Sequence, residues 1–269
     1  MREIAYAKIN LALHVRRRRD DGYHELETLF AFVDAGDVLL AERSPADRFT
    51  QEGEFAGALD TPFDNLAVRA LNSLPRDGGL SLHLDKRLPV AAGLGGGSAD
   101  AGAVFRIVSA LHGLPDDWPA RAARLGADVP ACVKSETCIG RGTGTELHPF
   151  ESASIAGTPV LLVNPREPLA TGPVFARWDG RDRGGLSGET ARAMAIAGRN
   201  DLEPAAITLC PAIADVLAQL TSTDPWLARM SGSGATCFAL YDDSAARDAA
   251  HLRLRESRPQ WWCMSGRLR

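Results

Sequence analysis

Between Pro89 and Asp100 the chain reads Pro89-Val90-Ala91-Ala92-Gly93-Leu94-Gly95-Gly96-Gly97-Ser98-Ala99-Asp100, with four glycines in five residues, then a serine and a helix-forming run. Just before it, Leu80-Ser81-Leu82-His83-Leu84 alternates as a strand does. Glycines carry no Cβ, so their N–H groups can converge on phosphate oxygens. A helix that follows adds unpaired N–H groups and the positive end of its dipole. Such a turn suits a nucleoside triphosphate tail. It is not the common P-loop, because no lysine follows the glycines. Nor is it the dinucleotide fingerprint, because the third glycine position counted from Gly93 is Ser98. A turn that merely joins strand to helix has little use for three successive glycines and their entropy cost.

Phosphoryl transfer needs a phosphate cradle, a cation near the transferred group, and a group that orients or deprotonates the attacking hydroxyl. Lys8 is a candidate cation. It shares the polar face of an alternating strand with Asn10, although locally a solvated lysine reads better. Asp128, before Val129-Pro130, serves equally well as a helix cap or as a base. Tyr23 and His24 pair an aromatic ring with an imidazole, which fits either a nucleobase or ordinary strand packing. Ser231-Gly232-Ser233-Gly234 is a second glycine-rich turn, able to close a phosphate site or simply to join helix to strand. The Met and Trp residues read as core filling.

These residues need elements to hold them. Ile9, Leu11, Leu13 and Val15 alternate with polar or small residues and predict a half-buried strand. Asp20-Asp21-Gly22 reads as a turn. Residues 25–40 read as strand segments broken at Asp34-Ala35-Gly36-Asp37. A helix is expected over 65–74, another from the glycine turn to about Leu111 with Gly113 as its stop, and a third from Asp117-Trp118-Pro119 to Gly126. Pro159 to Val163 reads as a buried strand, 179–190 as a mobile loop, and 211–220 as a helix. Strand, helix and strand are expected over 235–241, 244–256 and 261–264. The composition changes near residue 156, which places domains at 1–156 and 157–269. The irregular order of strands and helices points to an α+β architecture.

Composition narrows the function classes. The 269 residues are 45% hydrophobic and 24% charged, ordinary for a globular protein. A net charge of −4 offers no basic field for nucleic acid. Arg16 to Arg19 form a short basic run that reads as a solvated turn beside a strand. Cysteines at 132, 138, 210, 237 and 263 are odd in number and show no C-x-x-C spacing. That argues against a disulfide framework or a zinc site and fits a reducing cytosol. No apolar run approaches the roughly 20 residues that span a bilayer. The first residues alternate and lead into arginines, unlike a signal peptide. The expectation is therefore a cytoplasmic protein with small-molecule partners, no nucleic acid and no membrane; the oligomeric state is left open.

Three blocks together resemble the GHMP small-molecule kinases: Ala7-Lys8-Ile9-Asn10-Leu11, Pro89 to Asp100, and Ser231-Gly232-Ser233-Gly234-Ala235. Four more blocks narrow the resemblance to a branch whose substrate carries a cytidine diphosphate handle. They are Asp21-Gly22-Tyr23-His24-Glu25-Leu26, Asp64-Asn65-Leu66, Asp85-Lys86-Arg87-Leu88-Pro89 and Gly126-Ala127-Asp128-Val129-Pro130. The blocks cover most of the first 150 residues in the family's order, and the match is thinner beyond. The resemblance implies a ribosomal-protein-S5-type N-terminal domain and a ferredoxin-like C-terminal domain with the site between them. It implies phosphorylation of a hydroxyl by ATP with Mg²⁺, in the non-mevalonate supply of isoprenoid precursors. By position, Asp128 is the base and Lys8 its partner. Pro89, Val90, Ala91, Ala92, Gly93, Leu94, Gly95, Gly96, Gly97, Ser98 and Ala99 hold ATP, with Asn65 and Lys86 near its adenosine. Tyr23 and Phe175 stack on the cytosine and His24 reads its polar edge. Asn10 and Thr171 approach the reacting end. The chain departs from the family at Val90-Ala91-Ala92, where more glycine is usual. Asp100 either faces away from the phosphates or helps hold Mg²⁺, for which no protein ligand is identified. The stretch between Trp178 and Glu189 matches nothing.

Overall fold

The computed structural model describes residues 1–58 and 65–269, so Asp64 of the Asp64-Asn65-Leu66 block lies outside the described residues. The elements run β1 (Arg2–Arg18), β2 (His24–Ser44), β3 (Arg48–Glu52), α1 (Leu66–Ser73), β4 (Gly79–Asp85), α2 (Gly96–His112), α3 (Trp118–Leu125) and α4 (Val129–Lys134). They continue with β5 (Cys138–Gly142), β6 (Glu146–Pro149), β7 (Pro159–Asn164), α5 (Thr171–Ala176), α6 (Ala191–Ala197), α7 (Glu203–Leu209) and α8 (Ala212–Thr221). The chain closes with β8 (Leu227–Met230), β9 (Cys237–Leu240), α9 (Ser244–Ser257) and β10 (Trp262–Arg267). Strands and helices of mixed order give the expected α+β class.

Two compact units are present, neither of them one continuous stretch. The first comprises Met1–Lys8, Ala35–Val90 and Gly95–Ser135; the second comprises Ile9–Asp34, Ala91–Leu94 and Glu136–Arg269. The strands β1 and β2 each contribute to both, and residue 156 falls inside the second unit.

In the first unit the latter part of β2 pairs antiparallel with β4, from Val38 opposite Asp85 to Ser44 opposite Gly79. The strand β3 lies parallel on the other edge of β4. Alternation in β4 buries Leu80, Leu82 and Leu84 on one face. Helices α1, α2 and α4 pack together, with Ala67, Ala70, Leu71, Val104, Phe105 and Ile107 buried among them. A Cβ built on Gly102 would lie 2.5 Å from the Cys132 carbonyl oxygen, so α2 and α4 touch main chain to main chain.

The second unit contains β5 and β6 paired beside the start of β2, with Leu26 opposite Gly142 and Phe30 opposite Cys138. It also contains a separate antiparallel sheet ordered β10-β7-β9-β8. Every residue of β7 is buried, because it is flanked by β10 and β9 and carries a continuous apolar run. Leu161, Val163, Ile213, Val216, Leu220 and Leu254 form the core there.

Two expectations change. The break at Asp34-Ala35-Gly36-Asp37 does not occur, and β2 runs through it. A Cβ on Gly36 would sit 1.9 Å from the Ala5 carbonyl oxygen, so glycine is there for close strand approach rather than for a turn. Asp37 is fully buried and makes the bonds described below. Residues 178–188 have no helix or strand, as expected of a loop, but they are tethered. Arg16 Nε donates to Asp182 at 2.9 Å, the Leu186 N–H to Glu27 at 2.7 Å, and Arg199 to the Gly184 carbonyl at 2.9 Å. The basic run is likewise paired: Arg16 with Glu27 and Asp182, Arg17 with Glu25, and Arg19 with Asp21.

Candidate active site

In the first unit the chain leaves β4 at Asp85 and turns toward α2. Asp37 Oδ1 accepts the N–H groups of Arg87 at 2.6 Å and Leu88 at 2.7 Å, which fixes the start of the turn. The turn ends at Gly95, the N-cap of α2, at φ +61° and ψ +27°. An L residue there would carry left-handed strain of roughly 1–2 kcal/mol. The Ala99 N–H reaches the Gly95 carbonyl at 2.7 Å. The N–H groups of Gly96, Gly97 and Ser98 precede that first helical bond and point along the dipole toward the turn. Val90, Ala91 and Gly97 are exposed, Gly93, Gly95, Gly96 and Ser98 are half-buried, and Pro89, Ala92, Leu94 and Ala99 are buried. Ala91 holds φ +52°, a conformation that the glycine more usual in the family would adopt without strain.

The strand β1 brings Lys8 to this turn. Its Nζ lies 3.0 Å from Asp128 Oδ2; the lysine side chain is 5% exposed and the aspartate 33%. Asp128 occupies the N-cap position of α4, yet its side chain makes no capping bond. The carboxylate turns to Lys8 instead, so the side chain does not act as a cap in this structure. A Cβ on Gly95 would meet Lys8 Cε at 3.1 Å and Asp128 Oδ2 at 3.6 Å, so the pair stands directly against the left-handed glycine. One carboxylate, partly open to solvent and held by a buried ammonium beside a helix N-terminus, can accept a proton next to a bound phosphate.

Lys86 does not point outward from the turn. It is 2% exposed, with its ammonium ion-paired to Asp37 and lying 2.9 Å from Asp100 Oδ2. Burial alone would lower its pKa, but the two carboxylates outweigh that and hold it above the ordinary lysine value. Asp100 is 1% exposed and so faces inward, away from the exposed side of the turn. Asn65 is the N-cap of α1: its Oδ1 accepts the Ala67 N–H at 2.9 Å and its Nδ2 donates to Gln51 at 3.0 Å. Lys86 and Asn65 therefore direct their side chains into the fold.

In the second unit Ser231 is fully buried and links three segments. Its Oγ donates to the Gly93 carbonyl at 2.8 Å and accepts the Asn10 N–H at 3.2 Å. The Thr236 N–H reaches the Ala92 carbonyl at 3.1 Å. The Ser231 to Gly234 turn thus props the Ala91–Leu94 part of the glycine turn. A Cβ on Gly93, at φ +76°, would lie 2.2 Å from the Ser231 carbonyl oxygen. Asn10 Nδ2 donates to Thr28 Oγ1 at 2.7 Å, and Thr171 Oγ1 lies 3.0 Å from Ser233 Oγ.

Tyr23 is 66% exposed, whereas His24 is buried and packs on Phe175 with ring centroids 5.1 Å apart. Trp178 meets His24 edge-on at 5.7 Å. Burial first, then the nearby Arg18 charge, lower the His24 pKa below the ordinary imidazole value, so the ring is neutral at neutral pH. A neutral imidazole has one donor and one acceptor to offer a base edge. The structure thus brings Tyr23, His24 and Phe175 into one neighbourhood. Sequence reasoning missed Trp178 beside His24, and Asp37, whose acidic side chain in an apolar strand was the available signal.

Comparison with known proteins agrees with these features. The family pattern described as "GHMP kinases N terminal domain" matches residues 65–136, and "GHMP kinases C terminal" matches 185–260. A 4-diphosphocytidyl-2-C-methyl-D-erythritol kinase of Novosphingobium aromaticivorans is 67% identical, covering 100% of this chain and 93% of that one. Its counterpart in Erythrobacter litoralis is 63% identical over 99% of this chain and 98% of the relative. A solved structure of 4-(cytidine 5'-diphospho)-2C-methyl-D-erythritol kinase superposes with a TM-score of 0.85 at 32% identity, covering 100% of this chain and 99% of that one. A homoserine kinase from Cytophaga hutchinsonii shares the fold at a TM-score of 0.70 and 17% identity, covering 99% and 94% of the two chains. The chain belongs to the GHMP kinases, and within them to the family of the 4-diphosphocytidyl-2-C-methyl-D-erythritol kinases.

Proposed function

We infer that the protein transfers the γ-phosphoryl group of ATP to the 2-hydroxyl of 4-diphosphocytidyl-2-C-methyl-D-erythritol, a step in the non-mevalonate route to isoprenoid precursors. The observation that carries this reading is the Lys8–Asp128 pair set against the left-handed Gly95 at the start of α2. Asp128 accepts the hydroxyl proton as the oxygen attacks the γ-phosphorus, and the bond to the β-phosphate oxygen breaks to leave ADP. Lys8 holds Asp128 in place and offsets the negative charge that gathers on the transferred group. The turn from Pro89 to Ala99 binds the phosphates through its backbone N–H groups, while Asn65 and Lys86 shape the chain around the adenosine. Asn10 and Thr171 are assigned to the acceptor by the family resemblance.

Mg²⁺ enters this reading as part of the ATP substrate, where it screens phosphate charge. Among the described residues no three His, Cys, Asp or Glu side chains converge to hold a cation. Asp100, the one acidic candidate from the sequence, faces inward, so no step is assigned to a resident metal. The division into N- and C-terminal domains at residue 156 belongs to the same reading, since it falls between the two matched stretches. No described helix is long and apolar enough to cross a membrane, and the pathway sets the enzyme in a cytoplasm.

Purified protein should consume ATP only when the cytidyl substrate and Mg²⁺ are both present. A coupled ADP-release assay reads this directly. Comparable kcat/KM on homoserine or mevalonate, with none on the cytidyl compound, would overturn the substrate assignment.

Base recognition is testable separately. Tyr23→Ala and Phe175→Ala should each weaken cytidyl substrate binding by about 1–3 kcal/mol, roughly five- to 150-fold in Kd. ATP affinity should hardly change. His24→Ala should lose discrimination of cytosine from uracil along with affinity, because it removes hydrogen bonding rather than stacking. Titration of each variant with the cytidyl substrate, its uridyl analogue and an ATP analogue decides the matter. Equal losses for ATP and substrate would mean a damaged fold and would sink the pocket.

A further inference from the structure

Beneath the glycine turn lies a group of side chains to which the phosphoryl transfer assigns no chemical step. Asp37 comes from β2, Lys86 from the chain just after β4, and Asp100 from the first turns of α2. They are 0%, 2% and 1% exposed. Lys86 Nζ pairs with both carboxylates, at 2.9 Å from Asp100. The second oxygen of Asp37 accepts the N–H groups of Arg87 and Leu88. A Cβ on Gly96 would lie 3.2 Å from Lys86 Nζ, so the ammonium sits directly under the first residue of α2. The cluster grips the chain where it enters the turn and again where it leaves.

Charge makes the cluster more than a brace. Two carboxylates and one ammonium leave one uncompensated negative charge in a dry place, under a turn built for a polyanion. Asp100 Oδ1 is buried and finds no hydrogen-bond partner among the described residues. An ionised carboxylate with an undonated oxygen is costly to bury, whereas a neutral carboxyl is far less so.

We propose that Asp37, Lys86 and Asp100 are positioning residues for the phosphate turn and that they act as a net-neutral cluster in which Asp100 carries a proton. Its surroundings favour that form. Burial comes first, and although Lys86 opposes it, the Asp100 carboxyl is pushed up to about 8 with Asp37 adding like charge. The other charges beside α2 are paired among themselves, Lys8 with Asp128 at Gly95 and Arg106 with Glu3. On α1 the single charged residue, Arg69, is exposed; on α4 Lys134 is exposed and the Cys132 thiol is kept neutral by burial. The sign follows. Below the Asp100 titration the cluster is neutral and the turn accepts phosphates. As pH rises through it, the negative charge returns beneath the turn and ATP affinity falls, by up to about tenfold for each further pH unit.

The proposal rests on the glycine turn being the ATP site, and two measurements keep the two apart. One is binding of a non-hydrolysable ATP analogue with Mg²⁺. The other is KM for ATP and kcat at saturating cytidyl substrate, both between about pH 7 and 9.5, a range above the phosphate titration of ATP near pH 6. For the unmodified enzyme KM should rise about tenfold or more over that range. Asp100→Asn, which fixes the neutral form, should flatten the profile. Asp37→Ala should raise KM for ATP at neutral pH by about tenfold with a smaller change in kcat. Asp37→Asn, which keeps an oxygen for the Arg87 and Leu88 N–H groups, should recover most of that loss. A flat profile in the unmodified enzyme, or an unchanged slope in Asp100→Asn, overturns the proposal. So does an Asp37→Asn variant no better than Asp37→Ala. If Asp37→Ala fails to fold, the Asp100→Asn profile decides alone. If the analogue fails to bind the unmodified protein at every pH, the turn is not the ATP site and the proposal falls with that assignment.

Discussion

Asp128→Asn should lower kcat by roughly 10²–10⁴-fold, the range over which a general base acts. The substitution removes proton acceptance while keeping nearly the same shape. Its effect on the fold should be small, because the Asp128 side chain makes no capping bond to α4 and asparagine is as good a cap as aspartate. The 3.0 Å contact with Lys8 weakens from an ion pair to a hydrogen bond. KM for ATP should therefore move much less than kcat, the pattern of an interaction made mainly in the transition state. Steady-state kinetics with a circular dichroism spectrum checks both statements. A folded variant with near-normal turnover would assign proton acceptance to another group. Lys8→Met should also suppress kcat with nucleotide affinity closer to normal, because its ammonium bears on the developing charge and on Asp128.

Gly95→Val should be nearly as damaging, for a reason that combines backbone and site. The residue holds φ +61°, where a β-branched side chain is a genuine outlier. Its Cβ would lie 3.1 Å from Lys8 Cε, tighter than ordinary contact, and the two branches of valine add to the crowding. Either the helix start moves or the Lys8–Asp128 pair moves. A displacement of about 1 Å at a reacting centre costs on the order of 10²-fold in rate. Binding of an ATP analogue should fall as well, because the N–H groups of Gly96 to Ser98 turn with the helix start. Gly95→Ala should show the same effects in smaller measure. Thermal melts separate loss of fold from loss of function: full activity in a folded Gly95→Val variant would place the phosphates elsewhere.

The parts of the site that were legible in the sequence are those where residue type and spacing carry the chemistry. The glycine run stands out by itself, whereas Lys8 and Asp128 each admitted an ordinary local reading and became candidates only through the order of the blocks that resemble the GHMP kinases. Direction was harder to read. Lys86 and Asp100 are ordinary polar residues just past a strand end and early in a helix; only their meeting with Asp37 turns them inward, and Asp37 is 49 residues before Lys86 in the chain. Asp34-Ala35-Gly36-Asp37 has the composition of a turn. It remains a strand because Gly36 admits the neighbouring Ala5 backbone and Asp37 finds buried donors, both long-range facts. The short helices α5, α6 and α7 escaped because six or seven residues give too few turns for a period to show. The 179–190 stretch read as mobile from its Gly, Asp and Arg content, yet Asp182 finds Arg16, and the backbone at Leu186 and Gly184 finds Glu27 and Arg199.

The contact between α2 and α4 at Gly102 bears on how this kinase tolerates mutation. At Gly102 the two helices meet backbone on backbone, and Arg106 one turn on ties the same Cys132 carbonyl to α2 at 2.6 Å. One begins at Gly95 in the glycine turn, the other at Asp128. The interval between Gly95 and Asp128 at the starts of the two helices is therefore set at Gly102 largely by peptide geometry, which every sequence shares. Apolar exchanges elsewhere in the core, such as Ile107 or Val104 to another residue of similar volume, should pass through selection without disturbing the reacting distance. A single added methyl at position 102 would change it at once. Inherited variation in the first unit is thus expected to be plentiful in packing and nearly absent at this one contact.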